Sequence, residues 1–123
     1  MADINKITIK NATSSQSTAS AGAASFTIPL GAASDHRAIL LINNRNTNVI
    51  VRAEIVAGDG ERAVLGNLDV DIAVSSMAAI PFTDSMRFKV ATTDDVTVNL
   101  NDTADTALTA TPLALIDCVL IQG

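Results

Sequence analysis

Residues 37–56, RAILLINNRNTNVIVRAEIV, restrict the fold more than any other part of the chain. Residues 38–42 are wholly aliphatic, the pattern of a strand covered on both faces. An Asn-rich reversal at residues 43–48 follows, and asparagine tolerates the left-handed backbone that turns require. Val49, Val51, Ala53 and Ile55 then alternate with Ile50, Arg52, Glu54 and Val56, giving one apolar face and one mixed face. The expected structure is a β-hairpin at the centre of the core.

The flanking segments carry the same period. Ile4, Ile7 and Ile9 mark a strand over residues 4–10. Phe26-Thr27-Ile28-Pro29 marks another, its proline pointing to a strand end or an edge. Gly58-Asp59-Gly60 reverses the chain after Val56, and residues 63–66 read as a short strand or a bend. Leu68, Val70, Ile72 and Val74 alternate with Asn67, Asp69, Asp71 and Ala73, so one face is buried and one is wet. Residues 77–82 hold a strand ending near Pro81. Met86, Phe88 and Val90 precede Asp94-Asp95 and then Val96, Val98 and Leu100, the pattern of a second hairpin. Residues 101–111 support a helix poorly, since Thr and Asp are mediocre helix formers. Residues 113–122, LALIDCVLIQ, are a nearly continuous apolar run and belong in the middle of a sheet. The fold class that follows is all-β: a single-domain antiparallel β-sandwich over residues 1–123, jelly-roll-like or Greek-key, with about eight short strands.

Composition narrows the function. The 123 residues suffice for one two-layer core. Phe26, Phe82 and Phe88 are the only aromatics, so that core has to be aliphatic. Net charge is −5, and the eight Lys and Arg residues are scattered singly, so neither a phosphate-binding cluster nor a stacking platform for nucleic acid is expected. No run approaches the roughly 20 apolar residues that cross a bilayer, and the start MADINKITIK lacks the apolar segment of a signal peptide. Cys118, in an apolar run, is expected to be a buried small hydrophobe.

Catalytic patterns are weak. His36 follows Asp35, but neighbours on an extended chain point in opposite directions, so a solvated loop histidine is expected rather than half a triad. Cys118 lacks a setting that would favour a thiolate. No phosphate-binding loop or nucleophile motif is present, and an enzyme is not expected. Asp59 and Glu61 in a glycine-flanked loop, Asp69 with Asp71, Asp94-Asp95, and Asp102 with Asp105 are the oxygen-rich candidates for calcium. None has the spacing of a calcium loop. Solvated acidic loops are expected, with no metal and no cofactor. A carbohydrate platform would want Trp or Tyr, and there is neither. The acceptor patterns at Asn11 and Asn101 are read as coincidence.

Residues 11–25, NATSSQSTASAGAAS, are of low complexity. They are either a surface loop or an arm that orders on a neighbouring subunit. Together with the acidic, aromatic-poor aliphatic β-pattern, and the Asn-rich turn followed by VAGDGERAVLG, they make the chain resemble small bacteriophage virion proteins of the head-decoration (cement) type. The resemblance carries no site residues. It implies a non-enzymatic structural protein, made in the host cytoplasm and housed in the virion, that binds the outside of a phage capsid and stabilises it. The implied partners are further copies of the chain, as a homotrimer, and the major capsid protein, through many modest contacts that gain by avidity. Deleting residues 1–25 is then expected to abolish lattice binding while leaving the β-core folded. The alternative is a phage tail or surface module that recognises a glycan or receptor.

Overall fold

The computed structural model describes residues 3–8, 20–21, 23–30, 38–60, 64–82, 87–90 and 95–122. Among them are nine strands and one helical turn: β1 (Lys6–Thr8), β2 (Ser20–Ala21), β3 (Ser25–Ile28), β4 (Ala38–Asn44), β5 (Val51–Ile55), β6 (Leu68–Ile72), β7 (Ser76–Pro81), β8 (Val96–Asn101), α1 (Ala110–Leu113) and β9 (Ile116–Gln122). One sheet has the order β1-β9-β4-β7, with β2 also on β9; the other has the order β3-β8-β5-β6. We call them the β4 sheet and the β5 sheet. Every pairing is antiparallel except β1 with β9. The chain is therefore an all-β antiparallel sandwich. Its nested strand order is that of an eight-stranded jelly roll, with β1 and β2 sharing the first position.

The central hairpin does not form. β4 pairs with β7 and β9, whereas β5 pairs with β6 and β8, so the two aliphatic segments lie in opposite layers. The polar reversal is a crossover between sheets, and its asparagines explain why. Asn44 and Asn46 are buried. The Asn44 side-chain amide donates to the carbonyls of Val49 (2.9 Å), Ile72 (3.3 Å) and Ala73 (3.2 Å). Its oxygen accepts from the Asn46 backbone (3.1 Å) and side chain (2.9 Å). Asn46 in turn donates to Pro112 O and receives the Ser75 N–H. The crossovers at residues 45–50 and 73–75 are thereby held side by side. One long ribbon, β4 with β5 against β6 with β7, is folded across this corner.

The second expected hairpin shrinks to a single bridge between Val90 and Asp95. Both edges of β8 are occupied, by β3 and by β5, so no edge remains for residues 86–90. Phe88 instead turns inward, edge-on to Phe82 with ring centroids 6.4 Å apart. Of the expected run 113–122, Ile116–Gln122 take a central place as β9 while Leu113 ends α1; β7 is an edge strand ending at Pro81, and β3 is an edge strand that ends before Pro29. The weakly supported helix in residues 101–111 reduces to the single turn α1, preceded by a turn in which Asp102 Oδ1 accepts from Ala104 and Thr106 N–H.

Ile4 and β1 are built into the core, which runs against the expectation that the β-core stays folded without residues 1–25. Ile4 is buried and its N–H donates to Thr27 O in the β5 sheet, while β1 lies on β9 in the other sheet. Lys6 Nζ donates to Pro29 O and Gln122 Oε1, and Gln122 Nε2 donates to Leu30 O, closing this side of the sandwich. Removing residues 1–25 would strip a buried isoleucine, worth about 2 kcal/mol, together with two strands. The low-complexity stretch enters structure at β2 and β3; residues 11–19 lie outside the described residues. The interior is aliphatic, centred on Ile28, Leu40, Ile42, Ile55, Leu100, Ile116 and Leu120.

Candidate interaction surface

The two outward faces of the sandwich differ in kind. On the β5 sheet the outward side chains are polar and bonded to one another. Ser25 Oγ donates to Asn99 Oδ1 (2.8 Å), and Asn99 Nδ2 donates to Glu54 Oε1 (3.0 Å), a rung crossing β3, β8 and β5. Arg52 grips both carboxylate oxygens of Asp71 at 2.8 and 3.1 Å, and also reaches Asp105 and Thr103 O. The paired guanidinium holds the Asp71 carboxyl below its usual range, and these carboxylates hold the Arg52 proton more firmly still. Both residues are solvated, so this network organises the face more than it stabilises the fold.

On the β4 sheet the outward side chains form three ranks fixed by strand register. Ile7, Ile121, Ile39 and Pro81 stand in line across β1, β9, β4 and β7. Val119, Leu41 and Ala79 form the next rank, and Asp117, Asn43 and Met77 the third. Ile39 and Met77 are exposed, Ile7, Leu41, Val119 and Ile121 half-buried. Arg45 closes the far margin through a 2.8 Å ion pair with Asp117. Aliphatic runs such as β4 and β9 belong to strands covered on both faces. Here the β5 sheet covers the inner face, and no strand or helix among the described residues packs on the outer one. A contiguous exposed apolar patch marks an interaction site in a way that scattered residues do not.

A second apolar feature lies at the tip of the β5–β6 connection. Val64 is 88% exposed and Leu65 54%. Their backbone is nonetheless tightly held. The Arg87 guanidinium donates to the carbonyls of Leu65 (3.4 Å), Gly66 (2.9 Å) and Asn67 (3.0 Å), and lies 4.9 Å over the Phe88 ring. Asn67 Oδ1 accepts the Ala57 N–H, Gly66 takes a left-handed φ of +78°, and Gly58 lies directly against the Lys89 carbonyl. The turn is a rigid mount for two solvent-facing aliphatic side chains.

Among the described residues singled out as chemical candidates, Asp71 and Asp105 meet on Arg52. Asp35, His36, Glu61 and Asp94 lie outside the described residues. Asp59 is exposed at the tip, and Asp69 and Asp71 share the polar face. Asp95 sits at the Val90 bridge, while Asp102 and Asp105 serve the turn and Arg52. Among the described residues no three His, Cys, Asp or Glu side chains gather as metal ligands. No helix among them is long and apolar enough to cross a membrane. Asn101 is buried in β8, and Asn11 lies outside the described residues.

Cys118 points into the core from β9. Burial, reinforced by the neighbouring Asp117 carboxylate, pushes its thiol up from an ordinary 9.0 to about 12. A raised value means that the folded chain keeps a proton the unfolded chain releases. Stability from this group is therefore full below pH 9 and falls as pH rises toward 12, at about 1.4 kcal/mol per pH unit. Chemical unfolding at pH 8 to 11 is expected to show this arm in the wild type and a flatter one in Cys118→Ala. Parallel curves would contradict the assignment.

No family model, curated protein or solved structure matches this chain.

Proposed function

We propose that the protein is a non-enzymatic viral structural protein that binds the outside of a phage capsid and stabilises it, as a homotrimer whose partner is the major capsid protein. The observation that carries this reading is the outer face of the β4 sheet, two aliphatic ranks with Met77 beside them, set opposite a polar face whose groups bond one another. A surface of this kind supplies binding and no reactive group. Jelly rolls recur in viral coats and in lectins, so the architecture agrees with the reading without deciding it. At about 4.8 Å by 7 Å per position, the eight apolar residues of these ranks cover roughly 270 Å², about a third of the ~800 Å² a stable interface buries on each partner. Several copies acting together overcome that shortfall through avidity.

The test is co-sedimentation with capsids of the phage that encodes the chain. Wild-type protein is expected to pellet with them and to raise their heat resistance, and Ile39→Glu to do neither while remaining folded. Folded wild-type protein that stays in the supernatant, but binds a defined sugar on a glycan array, would replace this reading with the receptor-binding one.

A further inference from the structure

We propose that the free edge of β7 is a two-fold contact between copies of this chain, where two β7 strands pair antiparallel and the two β4 sheets run on as one. This contact goes beyond the capsid reading, and it leaves the outer face of the sheet free.

The ladder decides which way each β7 residue turns its backbone. Phe82 N–H donates to Ala38 O (3.0 Å), and antiparallel bonding alternates from there, so Ile80, Ala78 and Ser76 face β4. The other side of β4 keeps the same alternation. Arg45 N–H donates to Leu115 O (2.8 Å), which gives the odd positions of β4 to β9 and the even ones to β7. Met77, Ala79 and Pro81 therefore turn their main-chain groups away from the sheet, and no described strand pairs with them. Proline lacks an N–H, so this edge offers two donors and three acceptors.

A free strand edge is a template for another strand, and folds blunt such edges by shortness, charge or cover. β1 has three residues and carries Lys6. Thr27 of β3 is bridged to Asp3 and accepts the Ile4 N–H. β6 carries Asp69 and Asp71. β7 is longer than these three, with six uncharged residues, and Pro81 blunts only its end.

The edge is also its own complement, which selects a second copy as the occupant. About a two-fold axis through Ala79, the Ala79 N–H meets the partner's Ala79 carbonyl, and the Met77 N–H meets the partner's Pro81 carbonyl. Two donors from each copy make four hydrogen bonds. Only the Met77 carbonyl is left over, at a residue 61% exposed to water. Ser76, Ala78 and Ala79 are small enough for the backbones to close to sheet spacing, about 4.8 Å.

Sedimentation velocity from nanomolar to high micromolar concentration tests the contact on the intact chain. Wild type is expected to form a dimer, or a hexamer where the homotrimer reading also holds. Ala79→Pro deletes a donor that faces away from β4, so the fold keeps its ladder, as prolines on strand edges do. It is expected to associate about tenfold more weakly or worse, since two of the four bonds go. Ala79→Lys and Ala79→Glu carry the test if the proline variant fails to fold. Each alone sets like charges across the axis and is expected to stay apart, whereas the two mixed one to one are expected to pair. Wild type seen only as monomer or trimer would overturn the proposal. So would a folded Ala79→Pro that associates like wild type, or charged variants that pair no better mixed than alone. A trimer without even-numbered species keeps the homotrimer reading and removes this contact; a dimer without a trimer does the reverse.

Discussion

Asn44→Ala is expected to lower stability by about 3 kcal/mol, visible as a drop of roughly 10 °C in the unfolding midpoint. The side chain is completely buried and takes part in five hydrogen bonds at the corner where the ribbon changes sheets. Alanine removes the donor to the carbonyls of Val49, Ile72 and Ala73 and leaves the buried Asn46 backbone N–H without its acceptor. Each buried polar group left without a partner costs about 1 to 3 kcal/mol. Asn44→Asp sharpens the test. It keeps the oxygen that Asn46 needs, but turns a carboxylate toward three carbonyls, so it should be at least as damaging. If calorimetry places either variant within about 0.5 kcal/mol of wild type, the asparagine is not what holds the corner.

Gly58→Ala is expected to be comparably destructive by a different route. A Cβ at this position would stand 2.0 Å from the Lys89 carbonyl oxygen and 2.8 Å from the Phe88 carbonyl carbon, both main-chain atoms that cannot rotate away. The segment would have to move, breaking the Gly58 N–H bond to Arg87 O and displacing the Arg87 guanidinium from the tip. A loss of about 3 kcal/mol, read by chemical unfolding, is the predicted effect. Gly66→Ala is the contrast. No atom stands within 4 Å of that position, so only the left-handed backbone is penalised, at about 1 kcal/mol. Equal losses in the two variants would refute the steric argument.

The faces of this sandwich were largely legible in its sequence, and the partners of its strands were not. Val51, Ala53 and Ile55 point inward as their alternation requires, and the unbroken run ending at Gln122 lies inside a sheet. Alternation carries no record of which strand lies alongside. Residues 38–42 and 51–55 therefore looked like a hairpin, when they are the two halves of a core. The asparagines between them looked like surface turn formers because their polarity is plain and their burial is not. Residues 38–42 have the β5 sheet over one face, and no described element lies over the other. The tip was the least legible. Nothing in the order Ala-Val-Leu-Gly tells that Arg87, more than twenty residues on, will hold that turn open to solvent.

The place of β9 has a consequence in time. It lies between β1 and β4, pairing Leu120 with Lys6 and Gln122 with Ala38. The β5–β6 ladder closes locally, so that ribbon is able to form while later residues are still being translated. The other layer has to wait for its middle. Between the synthesis of Asn44 and that of Gln122 a ribosome adds 78 residues, about 4 to 16 seconds of work, during which one flank of an aliphatic strand has no neighbour. A nascent chain in that interval presents to the cytosol the kind of surface that chaperones hold. A ribosome stalled before codon 116 would release a polypeptide with half of its architecture waiting for a strand that never arrives.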